Sequence, residues 1–312
     1  MSNHNHEHSH SHNHTHAHDV SNVKGINLLI TMLLNLAITV AEVIGGIYSG
    51  SLSLLSDALH NLSDMLSIVV SYFAIKISQK SNDEKRTFGY KRSTIIAAVV
   101  NSTVLIVISL FLFKEAYFKF ITPEKINGVI VIWVALIGLI ANALGAYLLN
   151  KGSHDDINMK STYLHLISDA LSSVGVVIGG IIIYYFNIYW VDPILTIIIG
   201  IYVLKESYEI LKQAINILMQ GVPENININE LVHEIQEIEG VKNVHHVHVW
   251  GLNDNNIFFE AHVNLNQDIL VSETVKTYEN IEHELKEHFG IKHITIQFEY
   301  DCHDNTGIVK NE

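Results

Sequence analysis

A chain of 312 residues with 48% hydrophobic and only 16% charged side chains has the balance of a membrane protein rather than of an ordinary soluble domain. Its net charge of −13, with no basic stripe, excludes nucleic acid as a partner, and the single Cys302 excludes a disulfide framework or a Cys-rich zinc finger. No phosphate loop or nucleophile–base arrangement points to an enzyme.

Residues 1–24 form a polar tail in which His4, His6, His8, His10, His12, His14, His16 and His18 alternate with small or polar residues. Such a segment has nothing to bury and is expected to be disordered. Strict alternation differs from the consecutive histidines of a purification tag. It suits a weak, fast-exchanging metal-collecting arm; the competing reading is a solvated tail with no metal role. No apolar core opens the chain, so no cleavable secretory signal is expected, and the first membrane helix serves as the insertion signal.

Six apolar stretches follow, at about 25–48, 54–78, 93–118, 127–149, 163–186 and 191–211, each close to the ~20 residues a membrane helix needs. Lys80, Lys85, Arg86, Lys91 and Arg92 crowd the connection between the second and third. Lys151, Lys160, Lys205 and Lys212 lie on the same predicted side, and the opposite side holds only Lys119 and Lys125. The basic bias predicts that both termini are cytoplasmic, as an even number of spans requires. From about Asn216 the composition becomes that of a soluble domain. The patterning predicts a helix over 229–239, strands over 241–250 and 257–265 joined by a turn at 253–256, a helix over 272–289 and a strand over 292–300. The expected fold is therefore an α-helical membrane protein: a His-rich tail (1–24), a six-helix transmembrane bundle (25–214), a small cytoplasmic α+β domain of order α-β-β-α-β (215–300), and a C-terminal tail (301–312).

The second apolar stretch contains His60 and Asp64, and the fifth contains His165 and Asp169. A spacing of four places each pair on one helical face. Unpartnered, Asp64 and Asp169 would together cost about 5–7 kcal/mol to insert in a bilayer. If the two helices face each other, two imidazoles and two carboxylates form the four-ligand shell that Zn²⁺ accepts, and a divalent cation balances the two negative charges. Binding then competes with protons, as metal–proton exchange by alternating access requires. The alternative is that the pairs are interhelical hydrogen bonds holding the bundle together, at about 1 kcal/mol each. Asp57, one turn before His60, is a candidate proton relay or entry ligand, or a cap for local backbone. Asn35, Asn101 and Asn142 are assigned to packing or hydration, and Glu42 is left open.

In the soluble domain, His245, His246 and His248 lie on a predicted strand. Strand periodicity puts His246 and His248 on one face and His245 on the other. His262, His293, Glu299 and Cys302 are further candidates, and His, carboxylate and thiolate suit zinc-like metals better than Ca²⁺ or Mg²⁺. His233, His283 and His288 fall on amphipathic helices and are expected to be solvated.

The two His-x-x-x-Asp turns, the loop Thr87-Phe88-Gly89-Tyr90-Lys91-Arg92 and His246-Val247-His248-Val249-Trp250 together resemble the cation diffusion facilitator family, and within it the bacterial zinc/cadmium/cobalt efflux branch. The resemblance covers about residues 20–300. It implies a homodimer in the bacterial plasma membrane, a metallochaperone-like cytoplasmic domain contributing to dimerisation, and zinc–proton antiport out of the cytoplasm, with His60, Asp64, His165 and Asp169 as the transport site. Where some relatives use His in the loop between the second and third helices, this chain has only Asp83 and Glu84, so no metal is expected there. Where some relatives hold two cytoplasmic ions, this chain has Thr274 and Gln297. A single ion on His245, His262 and Glu299 is the preferred carry-over, with His246, His248, His293 and Cys302 as further contributors. Rival readings keep the same site but move Cd²⁺, Co²⁺, Mn²⁺ or Fe²⁺, or make the protein a metal-gated channel or membrane sensor.

Overall fold

The computed structural model describes residues 26–150, 157–253, 256–302 and 308. The His-rich tail and the far C-terminal tail lie outside the described residues. Six long helices come first: α1 (Ile26–Ser49), α2 (Leu52–Ser78), α3 (Ser93–Ile121), α4 (Gly128–Asn150), α5 (Ile157–Phe186) and α6 (Val191–Leu218). All of α3, Gly128–Tyr147 of α4 and Leu166–Phe186 of α5 are long and apolar enough to cross a membrane, and Leu33–Ser49 of α1 is a shorter apolar run. Along α3, Val100, Val104, Val107 and Phe111 are all more than half exposed or close to it. A helix that turns such residues outward needs lipid or another protein over them. Helix α5 starts earlier than the apolar stretch at 163–186, and α6 runs past 211. Their added turns mix polar residues (Asn158, Lys160, Ser161, Thr162; Lys212, Gln213, Asn216) with apolar ones, and the polar residues end the apolar run without ending the helix.

The chain divides into two compact units. The first combines Met1–Ile68 with Lys125–Tyr189, so its described part holds α1, most of α2, α4 and α5. Helix α4 packs against both α1 and α5. Close approach is permitted by Gly128 and Gly180: a Cβ at Gly128 would meet the Tyr184 backbone at 2.9 Å, and one at Gly180 the Ile132 side chain at 3.0 Å. Small residues serve this purpose at helix contacts in membranes, where van der Waals packing replaces the hydrophobic drive.

The second unit combines Val69–Glu124 with Trp190–Glu312. Here α3 packs against α6, with Phe113 filling the space left by Gly200. Beyond α6 come α7 (Ile228–Gln236), β1 (Val241–Asn253), β2 (Asn256–Leu265), α8 (Thr274–Phe289) and β3 (His293–Tyr300), in the expected order. Strand β2 is central, antiparallel to β1 and parallel to β3; the parallel pairing is possible because α8 carries the chain back. Leu231 and Ile235 of α7 and Ile281 and Leu285 of α8 pack with Val247, Phe259 and Val263 of the sheet in one buried core. Asn227 caps α7 by accepting from the Asn229 amide at 3.0 Å, and α8 ends at Gly290 in a left-handed conformation.

Strand β1 departs from strict alternation. His245 pairs with His262 and His248 with Glu260, so the register shifts between them. His246 occupies this bulge at φ +53°. A bulge inserts an extra residue and re-aims its neighbours, so face assignments made from period two fail across it.

Candidate metal sites

The first cluster lies in the first unit, where α2 meets α5. His60 Nε2 stands 3.3 Å from Asp169 Oδ1, with both side chains buried. One turn earlier on α2, buried Asp57 accepts from Ser172 Oγ at 2.7 Å and Ser173 Oγ at 3.4 Å. Moving from Asp57 to His60 along α2 moves from Ser172 back to Asp169 along α5, so the two helices run antiparallel here. Asp64 and His165 lie within the helical backbone of α2 and α5, and their side chains are outside the described residues. Of the residues singled out for a transport site, His60, Asp169 and Asp57 are thus brought together.

Partners of this cluster on α1, α2 and α5 were not assigned from the sequence, where Glu42 was left open. Glu42 of α1 is fully buried, and its Oε2 accepts from Asn61 Nδ2 at 2.9 Å. Asn61 follows His60 directly, so α1 delivers a carboxylate beside the α2–α5 cluster. A Cβ at Gly138 of α4 would lie 2.9 Å from Glu42 Oε1 and 3.6 Å from Ser173 Oγ, so the missing side chain makes room for this polar group. Ser172 and Ser173 were detectable in principle: at three and four residues past Asp169 they share its helical face.

The second cluster lies on the sheet. His245 and His262 face each other on adjacent strands, and Glu299 of β3 reaches both: Oε1 is 2.7 Å from His262 Nδ1 and Oε2 is 3.4 Å from His245 Nε2. One ligand atom from each lies within 4.8 Å of the others. Gln297 Nε2 donates to Glu299 Oε1 at 2.8 Å, fixing the carboxylate, and Asn243 Oδ1 lies 3.2 Å from His245 Nδ1. With Nδ1 held by Asn243, His245 keeps Nε2 on the Glu299 side, the orientation of a metal-ligating imidazole held from behind. Burial would raise the Glu299 pKa, but the His262 charge and hydrogen bond, together with His245, hold it below the ordinary carboxylate value.

The His246 ring stacks on His262 at 4.7 Å and meets His248 at 5.0 Å, so the bulge places His245 and His246 both against His262 instead of on opposite faces. His293 sits at the far end of β3, its ring 4.5 Å from Phe258. Cys302 is exposed, and its backbone is held by Asn264. Asp83 Oδ1 accepts the Lys85 and Arg86 amides at 2.8 Å each, so its carboxylate shapes the α2–α3 loop. His233 and His283 are exposed as expected. His288, also exposed, is more than solvated: its Nδ1 is 3.1 Å from Glu234 of α7 and 2.9 Å from Glu284 of α8, and these partners raise its pKa.

Residues 28–219 match the sequence profile of the cation efflux transmembrane domain, and residues 223–301 match that of the cation efflux protein cytoplasmic domain. Among curated relatives, the chain is 38% identical over 284 residues to the cadmium, cobalt and zinc/H(+)-K(+) antiporter of Bacillus subtilis, covering 90% of this chain and 91% of the relative. It is 36% identical to the metal cation efflux system protein CzcD of Cupriavidus metallidurans (83% and 82% covered) and 38% identical to the zinc transporter ZitB of Escherichia coli (86% and 87% covered). These relatives are transporters and not enzymes. Two family profiles spanning most of the chain, with relatives covering nearly its whole length, place the protein in the cation diffusion facilitator family, on its bacterial zinc, cadmium and cobalt efflux branch.

Proposed function

We propose that this protein exports Zn²⁺ from the cytoplasm in exchange for protons, by alternating access through His60, Asp64, His165 and Asp169. The observation that carries this reading is the buried His60–Asp169 contact between antiparallel α2 and α5. Stepping one further turn along α2 reaches Asp64, and one turn back along α5 reaches His165. Two crossed His–carboxylate pairs offer four donors suited to a tetrahedral Zn²⁺, and Cd²⁺ and Co²⁺ are alternative cargo. Metal must displace protons from the imidazoles and carboxylates on loading, and protons displace metal on release. Asp57, held by two serine hydroxyls, is an accessory group that relays protons at the edge of the cluster. In this reading all six long helices span the bacterial plasma membrane, both termini are cytoplasmic, the protein is a homodimer in lipid, and the N-terminal histidines collect metal.

The cytoplasmic cluster fits a resident zinc-like ion. Its His₂Glu donor set has the right chemistry, and Asn243 and Gln297 sit behind two of the donors. His245, His262 and Glu299 would hold the ion, tying the three strands together. Of the two positions, Thr274 and Gln297, at which some relatives supply ligands for a second ion, Gln297 instead supports Glu299.

A second reading is favoured by one relative. The Bacillus subtilis protein is named for exchange with potassium as well as protons, so K⁺ is a rival counter-ion. Zinc uptake into proteoliposomes under an imposed pH gradient, an imposed K⁺ gradient, or neither separates the two. Proton exchange predicts saturable uptake that collapses with the pH gradient. Uptake indifferent to both gradients would overturn exchange and favour a channel.

A further inference from the structure

We propose that the α2–α3 loop and the β1–β2 hairpin form a binding pocket for a phosphate-bearing anion. The pocket, about 390 Å³, is lined by the cations Lys85, Arg86 and Arg92 together with the aromatic rings of Phe88, Trp250 and Phe258. That volume is within the ~300–1,000 Å³ of ordinary small-ligand sites. No carboxylate is among its lining residues, although the whole chain has a net charge of −13. None of the three cations forms an ion pair with a described residue, and the buried Arg92 Nε has no hydrogen-bond partner among them. Three cations around one cavity repel one another, and an anion between them converts that repulsion into attraction.

The loop is built to hold these charges in place. Asp83 Oδ1 accepts the amides of both Lys85 and Arg86, and Asn82 Nδ2 donates to the Thr87 carbonyl at 2.7 Å. Gly89 closes the turn at φ +70°, its amide 2.8 Å from the Arg86 carbonyl. A Cβ there would come within 2.5 Å of Asn82 Oδ1, so no other residue fits without moving the loop. Arg86 is steadied by Tyr90, whose hydroxyl accepts from Nη1 at 3.0 Å and whose ring lies 4.6 Å below the guanidinium. In the same pocket, Trp250 stacks on Phe258 at 5.5 Å and Phe88 meets the same ring edge-on at 5.3 Å. Guanidinium groups bind phosphate through paired N–H donors, and an aromatic wall beside them accepts the apolar part of a phosphodiester. Phosphate chemistry comes from an anionic lipid headgroup or from a soluble phosphate, and both are within the reach of a loop joining two long apolar helices.

The test uses the full-length protein in nanodiscs of phosphatidylcholine, alone, mixed with phosphatidylglycerol, or alone with inorganic phosphate in the buffer. Acylation of each lysine by an amine-reactive reagent is followed by mass spectrometry. Lys85 is expected to react several-fold more slowly when the pocket is filled, with exposed Lys80 in the same loop unchanged. Slowing with phosphatidylglycerol alone identifies a lipid headgroup, and slowing with inorganic phosphate as well identifies the oxyanion itself. No slowing in either arm overturns the proposal. So does equal slowing of Lys80 and Lys85, which would report only the surface field of the bilayer. Arg92→Gln should abolish the Lys85 effect, and persistence of that effect in a folded variant would also overturn the proposal.

Discussion

Replacing Glu299 by Gln keeps the shape of the side chain while removing the charge that draws His245 and His262 together. Groups that merely support a metal ligand are worth about 10–100-fold in affinity, so losing a ligand's charge should weaken zinc by about 100-fold or more. With free zinc at about 100 times the wild-type Kd, binding stabilises the folded domain by about 2.7 kcal/mol; at the same zinc the variant gains only about 0.4 kcal/mol. The three donors come from β1, β2 and β3, so the gain should be read in the strands. Amide exchange measured by mass spectrometry on the intact protein should slow by up to about 100-fold in β1–β3 of the wild type, and by about twofold in the variant. Equal zinc protection in both proteins, or protection confined to segments outside the sheet, would refute the assignment of Glu299 to a metal.

Three other outcomes are expected. His288 is held between Glu234 and Glu284 with a pKa raised by the Glu234 hydrogen bond and the Glu284 charge; its contribution is therefore complete below its unfolded value near 6.5 and is lost as pH rises through the folded value. Exchange in α7, corrected for its intrinsic pH dependence, should quicken through that window in the wild type but not in His288→Gln. Gly138→Ala would place a methyl 2.9 Å from Glu42 Oε1; overpacking of about 1–3 kcal/mol outweighs a helix-propensity gain of about 1 kcal/mol, so lower thermal stability and slower zinc flux are expected in detergent and proteoliposomes respectively. Deleting residues 2–19 should alter the apparent affinity or uptake rate more than metal choice, and complete loss of flux would contradict a collecting arm.

Much of the architecture was legible because apolar length and period-two alternation are local properties. The α-β-β-α-β order follows from them, and the four-residue spacing of His and Asp was visible in the sequence itself. The start of α5 was missed because Asn158, Lys160, Ser161 and Thr162 extend a helix without extending its apolar run. His246 was assigned by strand alternation, and no local signal announced that a non-glycine residue would take φ +53° in a bulge. The Glu42–Asn61 hydrogen bond joins residues 19 apart on different helices; such contacts exist only once the helices have packed. Asp83 was weighed only as a metal candidate in the α2–α3 loop, and its hold on the Lys85 and Arg86 amides is visible only in the folded turn. His245, His262 and Glu299 were singled out through family resemblance, and their convergence depends on β2 lying between β1 and β3.

Transport as proposed requires one ion to touch paired side chains of both α2 and α5. Zinc K-edge X-ray absorption on protein that lacks residues 2–19 and carries Glu299→Gln isolates the transport ion from the other two candidate zinc-binding regions. A four-coordinate shell of two imidazole nitrogens and two carboxylate oxygens at about 2.0–2.2 Å is expected, and it should be lost when Asp169→Ala is added. A shell of water oxygens alone, or one unchanged by Asp169→Ala, would contradict the proposal.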